Sequence, residues 1–143
     1  MARACIALGA NLGDRALALE QATLRLGRAG HVYARSRILE TAPVGPIADQ
    51  PAFLNCMVGL DTGLSPHALL AACLTIEREL GRDRSTSARA QGPRTIDLDI
   101  VTYGDLAVAS ATLTLPHPAL HLRGFWRDGL HELGVRIPAS AHS

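Results

Sequence analysis

An α+β sandwich, with two helices on one face of a mainly antiparallel sheet, is the fold that three features of this sequence predict. Short runs alternate apolar and polar residues, two longer runs space their apolar residues by three and four, and the runs come in the order strand, helix, strand, strand, helix, strand. This βαββαβ order is ferredoxin-like, with a strand or hairpin added at the C-terminus. Ala4 to Leu8 gives the first strand. Asp14 then caps a helix that runs to about Leu26, with Leu17, Leu24 and nearby alanines on its apolar side and Gly27 and Gly30 ending it. His31 to Thr41 and Phe53 to Asp61 read as the second and third strands. Ser65-Pro66 opens a second helix with Pro at its first position, and Leu69, Leu70, Cys73, Ile76 and Leu80 follow at helical spacing. Thr95 to Tyr103 is the last main strand. Gly104-Asp105 turns it into a short pairing strand from Leu106 to Ala109, and an irregular tail follows.

A chain of 143 residues, 48% apolar, fits one domain over residues 1–143 with a single core. Aromatic residues make up only 3%, so Phe53, Phe125 and Trp126 stand out. A formal charge of +1 gives no general attraction to nucleic acid. Cys5, Cys56 and Cys73 lie in apolar runs without metal spacing, as reduced thiols of a cytoplasmic protein do. The N-terminal apolar run is too short for a signal peptide, and no segment has the length to span a membrane. A cytoplasmic monomer is expected.

The stretch Gly92-Pro93-Arg94-Thr95-Ile96-Asp97-Leu98-Asp99-Ile100 carries the most chemistry. Ile96, Leu98 and Ile100 alternate with Thr95, Asp97 and Asp99, so the two carboxylates share one strand face, roughly 6.6 Å apart at about 3.3 Å per residue. Magnesium takes one or two carboxylates together with substrate phosphates, and this pair suits it. Arg78, Arg82, Arg84 and Arg89 precede the pair and, with Arg94, make up five of the fourteen basic residues. The stretch from Gly81 to Gln91 has no apolar periodicity and reads as a mobile loop. Its guanidinium groups make forked contacts with phosphate oxygens, which beside a magnesium site suits a nucleoside triphosphate.

Two further clusters add binding groups. In Leu115-Pro116-His117-Pro118 the prolines stiffen the support of His117, and with His121 and Arg123 it forms an anion-binding strip. A zinc site on His117 and His121 lacks a third ligand. Upstream, a loop punctuated by Pro43, Gly45, Pro46 and Pro51 feeds a strand on which Phe53 and Asn55 share a face. An aromatic ring beside an amide suits a flat heterocycle, the ring stacking and the amide reading its edge. The sequence has no G-x-S-x-G, C-x-x-C or Walker lysine motif, and transfer of phosphoryl-type groups needs none of them. A metal-dependent phosphodiesterase or nuclease, and a ligand-binding module without activity, are the other classes these residues allow.

Taken with Leu8-Gly9-Ala10-Asn11-Leu12-Gly13-Asp14, these motifs resemble the 6-hydroxymethyl-7,8-dihydropterin pyrophosphokinases of folate biosynthesis over roughly Cys5 to Phe125. G-P-R-x-x-D-L-D-I, the T-x-P-x-G-P loop, F-L-N and L-P-H-P occur in family order. The resemblance implies transfer of the β,γ-diphosphate of ATP to the pterin hydroxymethyl group, giving AMP and the pterin diphosphate. It implies two magnesium ions on Asp97 and Asp99. Arg82, Arg84, Arg94, His117 and Arg123 would grip the phosphates, Arg82 and Arg94 counting with the two aspartates as catalytic, and Thr114 would lie near the nucleotide. Gly9, Thr41, Pro43, Val44, Phe53, Asn55 and Phe125 would form the pterin slot, its two rings sandwiching the heterocycle. Ala90 and Gln91 stand where the family usually has a basic residue and often a tryptophan, and Trp126 to Leu130 replaces a usually apolar segment.

Overall fold

A computed structural model describes residues 1–42, 52–82 and 96–138, with the side chain of Arg82 outside that description. The main sheet holds β1 (Ala2–Ala10), β2 (His31–Arg35), β3 (Leu39–Thr41), β4 (Phe53–Thr62) and β5 (Asp97–Tyr103), in the order β2-β4-β1-β5 with β3 also on β4. All of these pairings are antiparallel. α1 (Arg15–Leu26) and α2 (Pro66–Arg82) lie on one face, and this is the ferredoxin-like arrangement that the element order predicts.

Burial follows the strand alternation. Ala4, Ile6, Leu8 and Ala10 of β1, Val58 and Leu60 of β4 and Leu98 and Ile100 of β5 pack against Leu19, Ala22 and Leu26 of α1 and Leu69, Cys73 and Ile76 of α2. Asp14 caps α1 as expected, its carboxylate accepting from the Leu17 N–H at 3.0 Å. The apolar side of α1 differs from the expectation. Leu17 and Leu24 are 53% and 72% exposed, and the buried stripe is Leu19, Ala22 and Leu26. Both sets have helical spacing, and contact with β1 and β4 decides between them.

The expected single strand from His31 to Thr41 is two. Arg35 lies opposite Val58 and Leu39 opposite Asn55, so four steps along one chain meet three along the other. Ser36 sits in the break, where its hydroxyl accepts from the Met57 N–H and its own N–H donates to the Met57 carbonyl, both at 2.8 Å.

The C-terminal region departs further from expectation. The short strand is β6 (Val108–Ala109), and it pairs with β7 (Thr114–Leu115). The expected irregular tail contains a 3₁₀ turn (Pro118–His121) and α3 (Gly124–Glu132). α3 covers the other sheet face, where Trp126 and Leu130 join Cys5, Ala7, Met57, Val101 and Leu120 in a second apolar cluster, so the sheet carries two clusters in place of one core. Gly129 allows the close approach, since a Cβ there would stand 2.9 Å from that of Met57. Trp126 and Leu130 thus supply the apolar surface expected of this segment.

Candidate active site

The face of the sheet under α3 brings together several of the side chains expected in the site. Gly9 at the end of β1 lies opposite Asn55 on β4 and Asp97 on β5, and Ala7 lies opposite Asp99. Period two therefore puts Asp97, Asp99 and Asn55 on the same side. With Thr41 and Phe53 on the neighbouring strands and Arg123, Phe125 and Trp126 from the C-terminal segment, they line a cavity of about 220 Å³. Gly9 keeps its floor open, because a Cβ would stand 3.1 Å from Asn55 Oδ1 and 3.6 Å from Phe53 Cδ2. Asn55 Nδ2 donates to Thr41 Oγ1 at 2.6 Å, which orients the amide.

A second cavity, of about 260 Å³, is lined by Thr114, His117, Pro118 and Asp99 beside β5, the end strand of the sheet order. Asp99 lines both cavities, so one carboxylate stands where the two spaces meet. A larger hollow of about 600 Å³ lies beyond Asn55, Phe125 and Trp126, and neither Asp97 nor Asp99 lines it.

The His117 N–H donates to the Val101 carbonyl at 2.9 Å, and its Nδ1 accepts from the Ala119 N–H at 3.0 Å. In the neutral ring the proton therefore sits on Nε2, the atom that faces Asp99 Oδ1 at 3.8 Å. Burial holds the His117 pKa below the usual value, while the Asp99 carboxylate acts to raise it and Arg123 to lower it.

Glu77 and Trp126 are two residues that sequence reasoning did not assign to the site. Glu77 of α2 accepts from the Leu98 N–H at 2.7 Å, on the peptide between the two aspartates. A carboxylate four residues beyond Cys73 and three before Leu80 interrupts the apolar stripe of α2, and that interruption was the available signal. Trp126 touches His117, Phe125 and Arg123. Of the other expected residues, Pro43, Val44, Arg84 and Arg94 and the stretch 83–91 lie outside the described residues, and Arg82 is described only as the last residue of α2.

Two half-buried carboxylates facing one cavity are hard oxygen donors that suit magnesium. Among the described residues no group of three or more His, Cys, Asp or Glu could hold a metal by itself. Phosphate and water oxygens would complete the coordination, as magnesium sites commonly require. The same observation gives no support, among those residues, to a nuclease built on several acidic ligands.

The family model described as 7,8-dihydro-6-hydroxymethylpterin-pyrophosphokinase (HPPK) matches residues 5–134. The chain belongs to this family. It is 43% identical over 127 residues to the 2-amino-4-hydroxy-6-hydroxymethyldihydropteridine pyrophosphokinase of Methylorubrum extorquens, covering 87% of this chain and 78% of that one. It is 45% identical over 129 residues to the mitochondrial folate synthesis bifunctional protein of Pisum sativum, where 90% of this chain spans 24% of the relative. A crystal structure of HPPK-DHPS in complex with substrates has the same fold, with a TM-score of 0.70 at 12% identity over 92% of this chain and 40% of that one. The chain thus spans most of one relative and a minor part of the fused ones.

Proposed function

We propose that residues 1–143 form one pyrophosphokinase domain, in which Asp97 and Asp99 hold two magnesium ions between a pterin slot and a nucleotide site. Family membership gives the reaction, a pyrophosphokinase step of folate biosynthesis with ATP as donor. Gly9, Thr41, Phe53, Asn55 and Phe125, with Pro43 and Val44, form the slot. Arg123 and His117, with Arg82, Arg84 and Arg94, take the phosphates, and Thr114 lies beside the nucleotide. The observation that carries this reading is that both aspartates line the cavity shared by Phe53, Asn55, Phe125 and Arg123.

In the transfer, the pterin hydroxyl oxygen forms a bond to the β-phosphorus and the bond from that phosphorus to the α,β-bridging oxygen breaks. AMP leaves and the hydroxyl proton is released. Magnesium, when bound, offsets phosphate charge and lowers the pKa of the hydroxyl. The protein's own contribution is alignment and charge. Phe53 and Phe125 stack on the heterocycle, and Asn55, oriented by Thr41, reads its edge. Arg123 directs N–H donors at the transferring phosphates. A cytoplasmic monomer completes the proposal, and among the described residues no helix is long and apolar enough to cross a membrane.

The test is incubation of the protein with hydroxymethyldihydropterin, ATP and magnesium. AMP and pterin diphosphate are expected in equal amounts, and absence of AMP, or ADP as the nucleotide product, overturns the proposal.

A further inference from the structure

Trp126 is the single tryptophan of the chain and is 3% exposed. It belongs to a buried apolar cluster with Met57, Val101, Leu120 and Leu130. On the site side the Arg123 guanidinium carbon lies 4.5 Å from the indole centroid. The His117 ring meets the indole nearly perpendicularly, with centroids 4.9 Å apart. α3 is itself tied down. Arg127 Nη1 donates to the Leu120 carbonyl, and Glu132 Oε1 accepts from the Arg37 N–H, both at 2.8 Å.

We propose that Trp126 is a positioning residue for Arg123, holding its guanidinium plane at the mouth of the cavity that contains Asp97 and Asp99. The inference rests on the phosphate role proposed for Arg123. A guanidinium stacked on a ring uses its face for the contact and keeps its five N–H donors, which lie in the plane, for an anion. Among the described residues the Arg123 guanidinium forms no ion pair with a carboxylate, and the indole face is the support it meets. A flexible arginine without such a platform would lose rotamer freedom each time it met a phosphate, whereas a stacked one has lost it on folding. Burial of the indole in that apolar cluster makes Trp126 suited to this.

A double-mutant cycle tests it. The KM for ATP and kcat are measured for Trp126→Leu and Trp126→Phe, each with Arg123 intact and with Arg123→Ala, alongside thermal melts. With Arg123 intact, Trp126→Leu is expected to weaken kcat/KM for ATP by about two- to thirty-fold, the range of cation–π stacking from exposed to desolvated sites. In the Arg123→Ala background that factor should fall toward one, the part that remains reflecting His117 and packing. Trp126→Phe restores part of the loss, and it carries the cycle should the leucine variant not fold. An equal factor in both backgrounds, or a lower melting temperature with unchanged kinetics, overturns the inference and leaves the phosphate role of Arg123 standing. An Arg123→Ala enzyme with unchanged ATP kinetics overturns that role and this inference together.

Discussion

Gly9→Ala places a methyl group on the cavity floor, 3.1 Å from Asn55 Oδ1 and 3.6 Å from Phe53 Cδ2. The first contact is tighter than most real Cβ contacts, so the Asn55 amide must give by a few tenths of an ångström. That amide is also held by its 2.6 Å bond to Thr41. Moving it spoils the geometry toward the heterocycle, and a buried polar group left unpaired costs about 1 to 3 kcal/mol. Pterin affinity should therefore fall by roughly five- to a hundred-fold. The effect on folding should be small. Gly9 is not among the glycines with positive φ, so alanine adopts its backbone, and the gain from restricting the unfolded chain, about 0.4 to 1 kcal/mol, is offset by the cost of shifting the Asn55 amide. The melting temperature should therefore stay within about 4 °C of the parent's. Calorimetric titration of the pterin and of a non-hydrolysable ATP analogue, with thermal melts, measures all three quantities. Equal losses for both ligands, or unchanged pterin affinity, would refute the reasoning, because the methyl would then be acting on the fold or not reaching the slot.

Removing either carboxylate proposed to hold magnesium, as Asp97→Ala or Asp99→Ala, should lower turnover by about a hundred- to a thousand-fold or more with little change in melting temperature. Both side chains are only half-buried and leave no core cavity, and near-normal magnesium-dependent turnover in either variant would remove the metal assignment. The three thiols should resist alkylation in the native state at pH 8. Burial pushes Cys5 up from its usual value, Cys56 up to about 11 and Cys73 up to about 12, so little thiolate is present. Because these pKa values are raised on folding, the stability they contribute is complete below about pH 9 and declines as pH rises toward 11 and 12. Rapid labelling of any of the three at pH 8, without unfolding, would contradict that burial.

What could be read from the sequence was local. The alternation of Ile96, Leu98 and Ile100 with Asp97 and Asp99 placed both carboxylates on one face, because side chains on a strand alternate whatever lies around them. Asp14 as a cap and Pro66 as the first residue of α2 follow from backbone chemistry within a single turn. Phe53 and Asn55 were paired in the same way, and the other expected site residues rest on the resemblance of motifs. What the tertiary structure decided depended on distant contacts. Leu17 and Leu24 have the same spacing as Leu19 and Leu26, and only packing on the sheet exposes one pair and buries the other. The break at Ser36 exists because β2 and β3 must both pair with β4 in registers that differ by one residue. α3 was hidden by its polar residues, and its helix is held by Trp126 and Leu130 against a sheet face formed by residues from about 25 to about 125 positions earlier in the chain. The meetings of His117 with Asp99 and of Glu77 with the Leu98 N–H have the same origin. Each joins two elements that are separate in sequence, and no local period encodes which elements will lie side by side.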